Sequence, residues 1–358
     1  MNKKKQQISS GQLMVLIIAA QMGVGIFIIP QHLEKWLGTG GWLMLIPFWL
    51  AALGGAGLIL GICRRFNGSV LAINRRLLGK CAGTALNYLI AVFLFISAII
   101  NGAFFVEFLK ILFFKETPVL ILMVFLFAPL FYLVAKGLKV ICRFAGFIYI
   151  SIFFFLTAVI LSWDHLQWTF LFPLTQIQLR HLPQIVGKTA FSLIGFDLML
   201  IIYPYIKGEH KLGYSLAAIT TTALIYVILS VLTITLYGGE FVKEQVFPIL
   251  NIFRSLHFPV LDRLEIYFLL FWVPAIGISA TAFFLAAQLA VKENFPVLSY
   301  RLILVILGTL MILAILFLNK YEQLENLSCW LGALEFFGFG MALPAFLWLI
   351  ALIREARE

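Results

Sequence analysis

Apolar runs of about 20 residues, separated by short polar connections, recur along the whole chain. A run of that length crosses the hydrocarbon core as a helix, because intrahelical hydrogen bonds satisfy the backbone where water cannot. The pattern predicts ten spans, at about 12–36, 41–62, 84–110, 118–136, 141–162, 184–206, 212–237, 262–291, 298–318 and 329–353. Two amphipathic pieces lie between them. One, at about 68–80, carries Arg75, Arg76 and Lys80 and is expected to lie along the membrane surface. The other, at about 240–257, carries Glu240, Lys243, Glu244 and Arg254. Residues 1–358 therefore read as one all-α polytopic membrane domain, without a soluble domain or a low-complexity linker.

Two of the runs are interrupted near their middles. The first contains Met22-Gly23-Val24-Gly25-Ile26-Phe27, and the sixth contains Ser192-Leu193-Ile194-Gly195-Phe196-Asp197. Glycine costs a helix more than any residue except proline. A break at membrane depth is tolerable only where it lines a protein-enclosed cavity. Five spans separate the two breaks. Five is odd, so the second half starts on the opposite side of the membrane from the first. That is the arithmetic of an inverted five-plus-five repeat, with the first repeat at about 12–162 and the second at about 184–353. Two unrelated glycines are the plainer alternative, since glycine is common in membrane helices.

The break in span one exposes chemistry. Unwinding frees the N–H groups of Gly25, Ile26 and Phe27 at the start of a half-helix whose dipole presents its positive end. A carboxylate fits there without a cationic side chain. The carbonyls of Met22 and Gly23 can accept from an ammonium or coordinate a cation. In the expected arrangement spans three and eight flank the breaks. Span three offers Asn101, four residues beyond Ser97 and on the same face. Span eight offers Ser279 and Thr281, with Phe283 and Phe284 beyond. The candidate ligand contacts are Gly23, Val24, Gly25, Ile26, Phe27, Asn101, Ser192, Ile194, Gly195, Phe196, Asp197, Thr281 and Phe284. Each polar member has a structural alternative. Asn101 can bond between helices, Ser279 and Thr281 can bond to their own helix backbone, and Asp197 can contact a ligand ammonium, hold a proton, or cap the half-helix that follows it. Met22, Ser279 and Thr281 also leave a weak Na⁺ site open. Glu107 reads as a gating residue or as an ion-pair partner, Glu335 as a partner of Lys188 or Lys110, and Glu265 as interfacial. The aromatic walls and scarcity of charge favour a small or apolar amino acid over a strongly charged one.

Composition sharpens this picture. The chain is 63% apolar and 12% charged, against about half and a quarter in soluble domains. The net charge of +10 would suggest nucleic acid in a soluble protein; here it marks loops that face anionic lipid. Seventeen of the 26 Lys and Arg residues fall on one side if the N-terminus is cytoplasmic. That inner set is Lys3, Lys4, Lys5, Arg64, Arg65, Arg75, Arg76, Lys80, Lys136, Lys139, Arg143, Lys207, Lys211, Lys292, Arg301, Arg354 and Arg357. Both termini are then expected inside. No secretory leader is expected, because residues 1–11 are basic and polar and the apolar run after them is too long. Cys63, Cys81, Cys142 and Cys329 have no metal-type spacing and read as structural. There is no Gly-x-Gly-x-x-Gly, Walker loop or His-Glu-x-x-His, and His32, His165, His181, His210 and His257 lie at span ends or in loops. The chain is not expected to be an enzyme or to need a cofactor.

The span-one motif, with Pro30 downstream, resembles the first-helix motif of the amino acid–polyamine–organocation transporters. Two further stretches narrow the likeness. Ile8-Ser9-Ser10-Gly11-Gln12-Leu13 resembles the opening of the B subunits of spore germinant receptors. So does Phe247-Pro248-Ile249-Leu250-Asn251-Ile252-Phe253-Arg254-Ser255, followed by Asp262-Arg263-Leu264-Glu265. The resemblance implies a LeuT-like fold with discontinuous helices 1 and 6. It implies a receptor of the spore inner membrane that binds a small nutrient, often an amino acid, at those breaks. The implied partners are an A subunit with a membrane domain and a C subunit that is a lipoprotein. The alternative is a secondary amino acid transporter coupled to H⁺ or Na⁺.

Overall fold

The computed structural model describes residues 6–174, 182–255, 264–318 and 321–355. Lys3, Lys4, Lys5, Arg357, His181, His257 and the Asp262-Arg263 pair lie outside the described residues. A short strand β1 (Ile8–Ser9) leads into α1 (Ser10–Gln21) and α2 (Gly25–Leu37). A 3₁₀ turn, Gly38–Met44, joins these to α3 (Leu45–Phe66), α4 (Val70–Leu78), α5 (Lys80–Leu112) and α6 (Val119–Lys136). Then come α7 (Leu138–Phe144), α8 (Ile148–Leu161), α9 (Leu182–Leu193), α10 (Met199–Ile202) and the strand β2 (Ile206–Lys207). The remainder is α11 (Lys211–Tyr237), α12 (Gly239–Glu244), α13 (Pro248–Ser255), α14 (Leu264–Asn294), α15 (Tyr300–Phe317), α16 (Tyr321–Ala333) and α17 (Leu343–Glu355).

By length and apolarity the described residues hold eight membrane-crossing helices, or nine with the bent pair Pro183–Leu193 and Phe196–Tyr205 taken as one; Ser10–Gln21 is a shorter apolar helix. The chain is thus an integral, multi-pass membrane protein. Its centre is α14, buried without interruption from Ala275 to Ala290. A helix that is apolar all round belongs inside a bundle. The peripheral helices turn large apolar side chains outward instead, among them Phe125 on α6, Ile160 on α8, Phe317 on α15 and Trp330 on α16. Such a belt is what lipid requires and water would penalise.

Three elements depart from the sequence reading. The amphipathic helix α4 buries its apolar face against protein, a contact the sequence did not predict. Val70, Leu71, Ile73, Asn74 and Leu77 are buried, and Asn74 Nδ2 donates to Asn87 Oδ1 of α5 at 2.9 Å. Asn87 Nδ2 in turn donates to Leu71 O at 2.9 Å. The last helix begins at Tyr321, eight residues before the expected start, because Glu322, Gln323, Glu325 and Asn326 hide its first turns from a hydropathy reading. It also passes through a π-helical segment, Leu334–Ala342, between α16 and α17. Finally, β1 pairs in parallel with β2, Ile8 opposite Ile206 and Ser9 opposite Lys207. That ties the start of the chain to the end of the bent α9–α10 unit, next to the region that holds the breaks.

Candidate functional site

Both glycine-bearing interruptions are real breaks. Helix α1 ends at Gln21, with Met22 N–H closing onto Ile18 O at 2.8 Å. Helix α2 starts at Gly25 with no side-chain cap. Phe27 N–H reaches Val24 O at 3.1 Å, while the N–H groups of Gly25 and Ile26 open the half-helix and have no intrahelical acceptor. The second break follows Leu193. Gly195 takes a left-handed conformation, φ 118°, and the chain bends by 55°. A side chain at that φ is strained.

The two breaks lie against each other. A Cβ on Gly25 would stand 2.8 Å from Ser192 Oγ and 3.1 Å from Ser192 Cα, so only glycine admits this approach. A Cβ on Gly195 would stand 2.9 Å from Ala20 Cβ. Gln21 Nε2 donates to Leu193 O at 2.8 Å, closing one carbonyl of the second break with a side chain from the first. Tyr226, fully buried on α11, sets its hydroxyl 2.7 Å from Gln21 O and 3.0 Å from Ser192 O. Buried carbonyls at a break need such donors. Tyr226 and Gln21 escaped the sequence reading. The signal was a polar group in the apolar run of each span, Gln21 beside Gly23 and Tyr226 in span seven.

Of the flanking candidates, Ser279 and Asn101 reach the first break. Ser279 Oγ donates to Ala20 O at 2.9 Å and lies 3.1 Å from Asn101 Oδ1. Asn101 Nδ2 donates to Ser97 O at 2.9 Å, so Asn101 links α5 to α14 beside Gly23 and is half-buried there. Thr281 turns back to its own helix, Oγ1 to Gly277 O at 2.7 Å. Phe284 packs on Phe95 and Phe131, ring centroids 6.3 and 5.3 Å away. Ile194 and Met22 are buried at the breaks. Phe27 enters a cluster with Phe108, Trp272, Phe268 and Phe247, centroids 4.9 to 6.4 Å away. Phe247 comes from the stretch singled out at 247–265. Glu107 is half-buried near Lys110 of its own helix. Glu265 is buried at the start of α14.

Asp197 follows the second break and caps it locally, Oδ1 accepting from Gly195 N–H at 2.9 Å. The Glu335 carboxyl of the π-helical segment lies beside it. Glu335 therefore does not pair with Lys188 or Lys110, as its position in the span suggested. The partner of Lys188 is Glu325, one helical stretch earlier, and Glu325 Oε1 also meets His32 Nε2 at 2.9 Å. This trio joins α2, α9 and α16 beyond the breaks. Glu325→Gln is expected to loosen that junction. In a Cys81→Ser background, maleimide labelling of Cys329, four residues on along α16, should then speed up severalfold. An unchanged labelling rate would show that the trio does not hold the helices together.

A sequence model of a family described as spore germination proteins matches residues 7–323. The chain belongs to that family. Similar proteins include spore germination protein GerQB of Bacillus cereus, 24% identical over 96% of this chain and 95% of that protein. Spore germination protein B2 of Bacillus subtilis (strain 168) is 20% identical, over 99% and 98%. Among solved structures the fold is similar to Mhp1, a nucleobase–cation-symport-1 family transporter in a closed conformation with bromovinylhydantoin bound. The TM-score is 0.59 at 12% identity, over 92% of this chain and 76% of that one. The likeness establishes a transporter-like fold and nothing about the ligand.

Proposed function

We propose that this chain is the B subunit of a spore germinant receptor, which binds a small ligand, an amino acid, at the facing breaks and signals germination. In this reading α1 and α2 are halves of span one, and α9 and Phe196–Tyr205 are halves of span six. They belong to a ten-span, inverted five-plus-five arrangement in the spore inner membrane, both termini on the core side, with A and C subunits as partners. One observation supports it most: an uncapped half-helix start at Gly25 and Ile26 lies against the second break at Ser192. The positive end of the half-helix dipole suits a carboxylate, and half-buried Asn101 offers a polar group beside Gly23. Ligand binding shifts the equilibrium between two arrangements of the breaks by its differential affinity for them.

The second reading is coupled amino acid transport. Ser279 reaching the first break from α14 is the feature that favours it. The purified chain in liposomes, supplied with a panel of radiolabelled amino acids, separates the two. Saturable binding without accumulation down an imposed H⁺ or Na⁺ gradient is expected. Accumulation by the chain alone would replace the receptor reading with transport, and absence of binding across the panel would remove the amino acid ligand.

A further inference from the structure

The Asp197–Glu335 contact has a chemistry that neither the ligand reading nor the family accounts for. Glu335 is fully buried and Asp197 is 3% exposed. Ser97 Oγ lies 2.7 Å from Glu335 Oε2, whereas Glu335 Oε1 has no donor within reach. It is an unpartnered, fully buried acceptor beside another carboxyl, Asp197. Two carboxylates cannot hydrogen-bond to one another; a carboxylic acid and a carboxylate can, and strongly.

Among the described residues neither carboxyl forms an ion pair with a cation. The charged groups of the surrounding elements are Lys188 on α9, Glu322 and Glu325 on α16, Arg64 and Arg65 on α3, Lys80, Glu107 and Lys110 on α5, Glu265, Lys292 and Glu293 on α14, Lys211 on α11, and Arg354 and Glu355 on α17. Lys188 is bound to Glu325, and Arg65 to Glu355. Cys63 on α3, Cys81 and Tyr88 on α5, Tyr214, Tyr226 and Tyr237 on α11, Tyr267 on α14, and Tyr321 and Cys329 on α16 are the neutral titratable groups on those elements. Two bare negative charges side by side in a buried site are strongly disfavoured, so a proton is the counter-charge the site lacks.

The surroundings hold the pair in place. Glycines make room for the Phe196 ring that precedes Asp197. A Cβ on Gly340 would stand 2.7 Å from Phe196 Cζ, and one on Gly55 would stand 2.9 Å from Phe196 Cε2. Phe196 is thereby seated between α3 and the π-helical segment, with its ring 5.5 Å from that of Phe336. π-helical insertions recur at functional sites. A small apolar cavity bounded by Ile90, Phe93, Leu94, Leu200, Ile201 and Phe339 lies against Asp197.

We propose that Asp197 and Glu335 form a proton-binding site, in which one proton is shared between the two carboxyls and joins the second helix break to the π-helical segment of the last helix. The proposal is independent of what the breaks bind. The test is infrared difference spectroscopy of the full chain in lipid nanodiscs, between neutral and alkaline pH, in H₂O and D₂O. A carboxylic acid C=O band that shifts in D₂O is expected in the wild type and lost in Glu335→Gln, whose amide can donate to Asp197 in place of the shared proton. Absence of the band in the wild type, or its persistence in Glu335→Gln, overturns the site. Should Glu335→Gln fail to accumulate, Ser97→Ala decides. It removes the donor to Glu335 and must move the band; an unmoved band also overturns the site.

Discussion

Gly25→Ala is expected to lower the ligand response by roughly 5–150-fold, while the protein still inserts and assembles. The range corresponds to about 1–3 kcal/mol, the usual cost of forcing a methyl group into a packed interior. The collision is specific. The new Cβ meets Ser192 at its Oγ, Cβ and Cα, at 2.8, 3.0 and 3.1 Å, and the last of these is backbone that no rotamer can move. The two breaks must therefore part, and the half-helix start at Gly25 and Ile26 moves with them. Gly54→Ala is the control, since nothing lies within 4 Å of a Cβ there. The measurement is the ligand concentration for half-maximal response in spores carrying each variant at matched protein levels. A normal response from Gly25→Ala at limiting ligand would remove the anion site. Adding Ser192→Gly to Gly25→Ala removes the contacts with Oγ and Cβ and leaves that with Cα, so partial recovery is expected if the methyl acts by pushing the breaks apart.

Tyr226→Phe is the second large effect. The hydroxyl is the donor that serves Gln21 O and Ser192 O, one carbonyl from each break. A phenol has one hydrogen, so it is shared between them. Removing it changes no volume in the core but leaves buried carbonyls without that donor, at about 1–3 kcal/mol. The thermal midpoint in detergent should fall, and ligand affinity should fall with it because the breaks lose the side chain that spans them. A midpoint equal to that of the wild type would mean that water already satisfies those carbonyls and that Tyr226 does not couple the breaks.

Much of this was legible one residue at a time. Most of the apolar runs fall on crossing helices to within a few residues, the last helix excepted, because a helix in lipid must be long enough and apolar enough regardless of its neighbours. The breaks at Gly23–Gly25 and Gly195 were legible for the same local reason: glycine in mid-span is costly unless the backbone departs from the helix there. Where charge and turn compete with hydropathy, the reading failed. Glu322, Gln323, Glu325 and Asn326 concealed the first turns of α16.

What only the tertiary structure decided is which groups meet. The sequence alone specifies that Gly25 tolerates a break, that Asp197 follows one, and that Glu335 interrupts an apolar helix. It contains nothing to say that Ser192 closes on Gly25, that Tyr226 bridges both breaks, or that Lys188 takes Glu325 and leaves Glu335 to Asp197. Helix formation is set by each residue's own backbone and by its solvent. Side-chain partnership is set by the rotation and tilt of whole helices, which depend on packing summed over the bundle. A shift of one residue around a helix turns a side chain by about 100°, enough to exchange one ion partner for another.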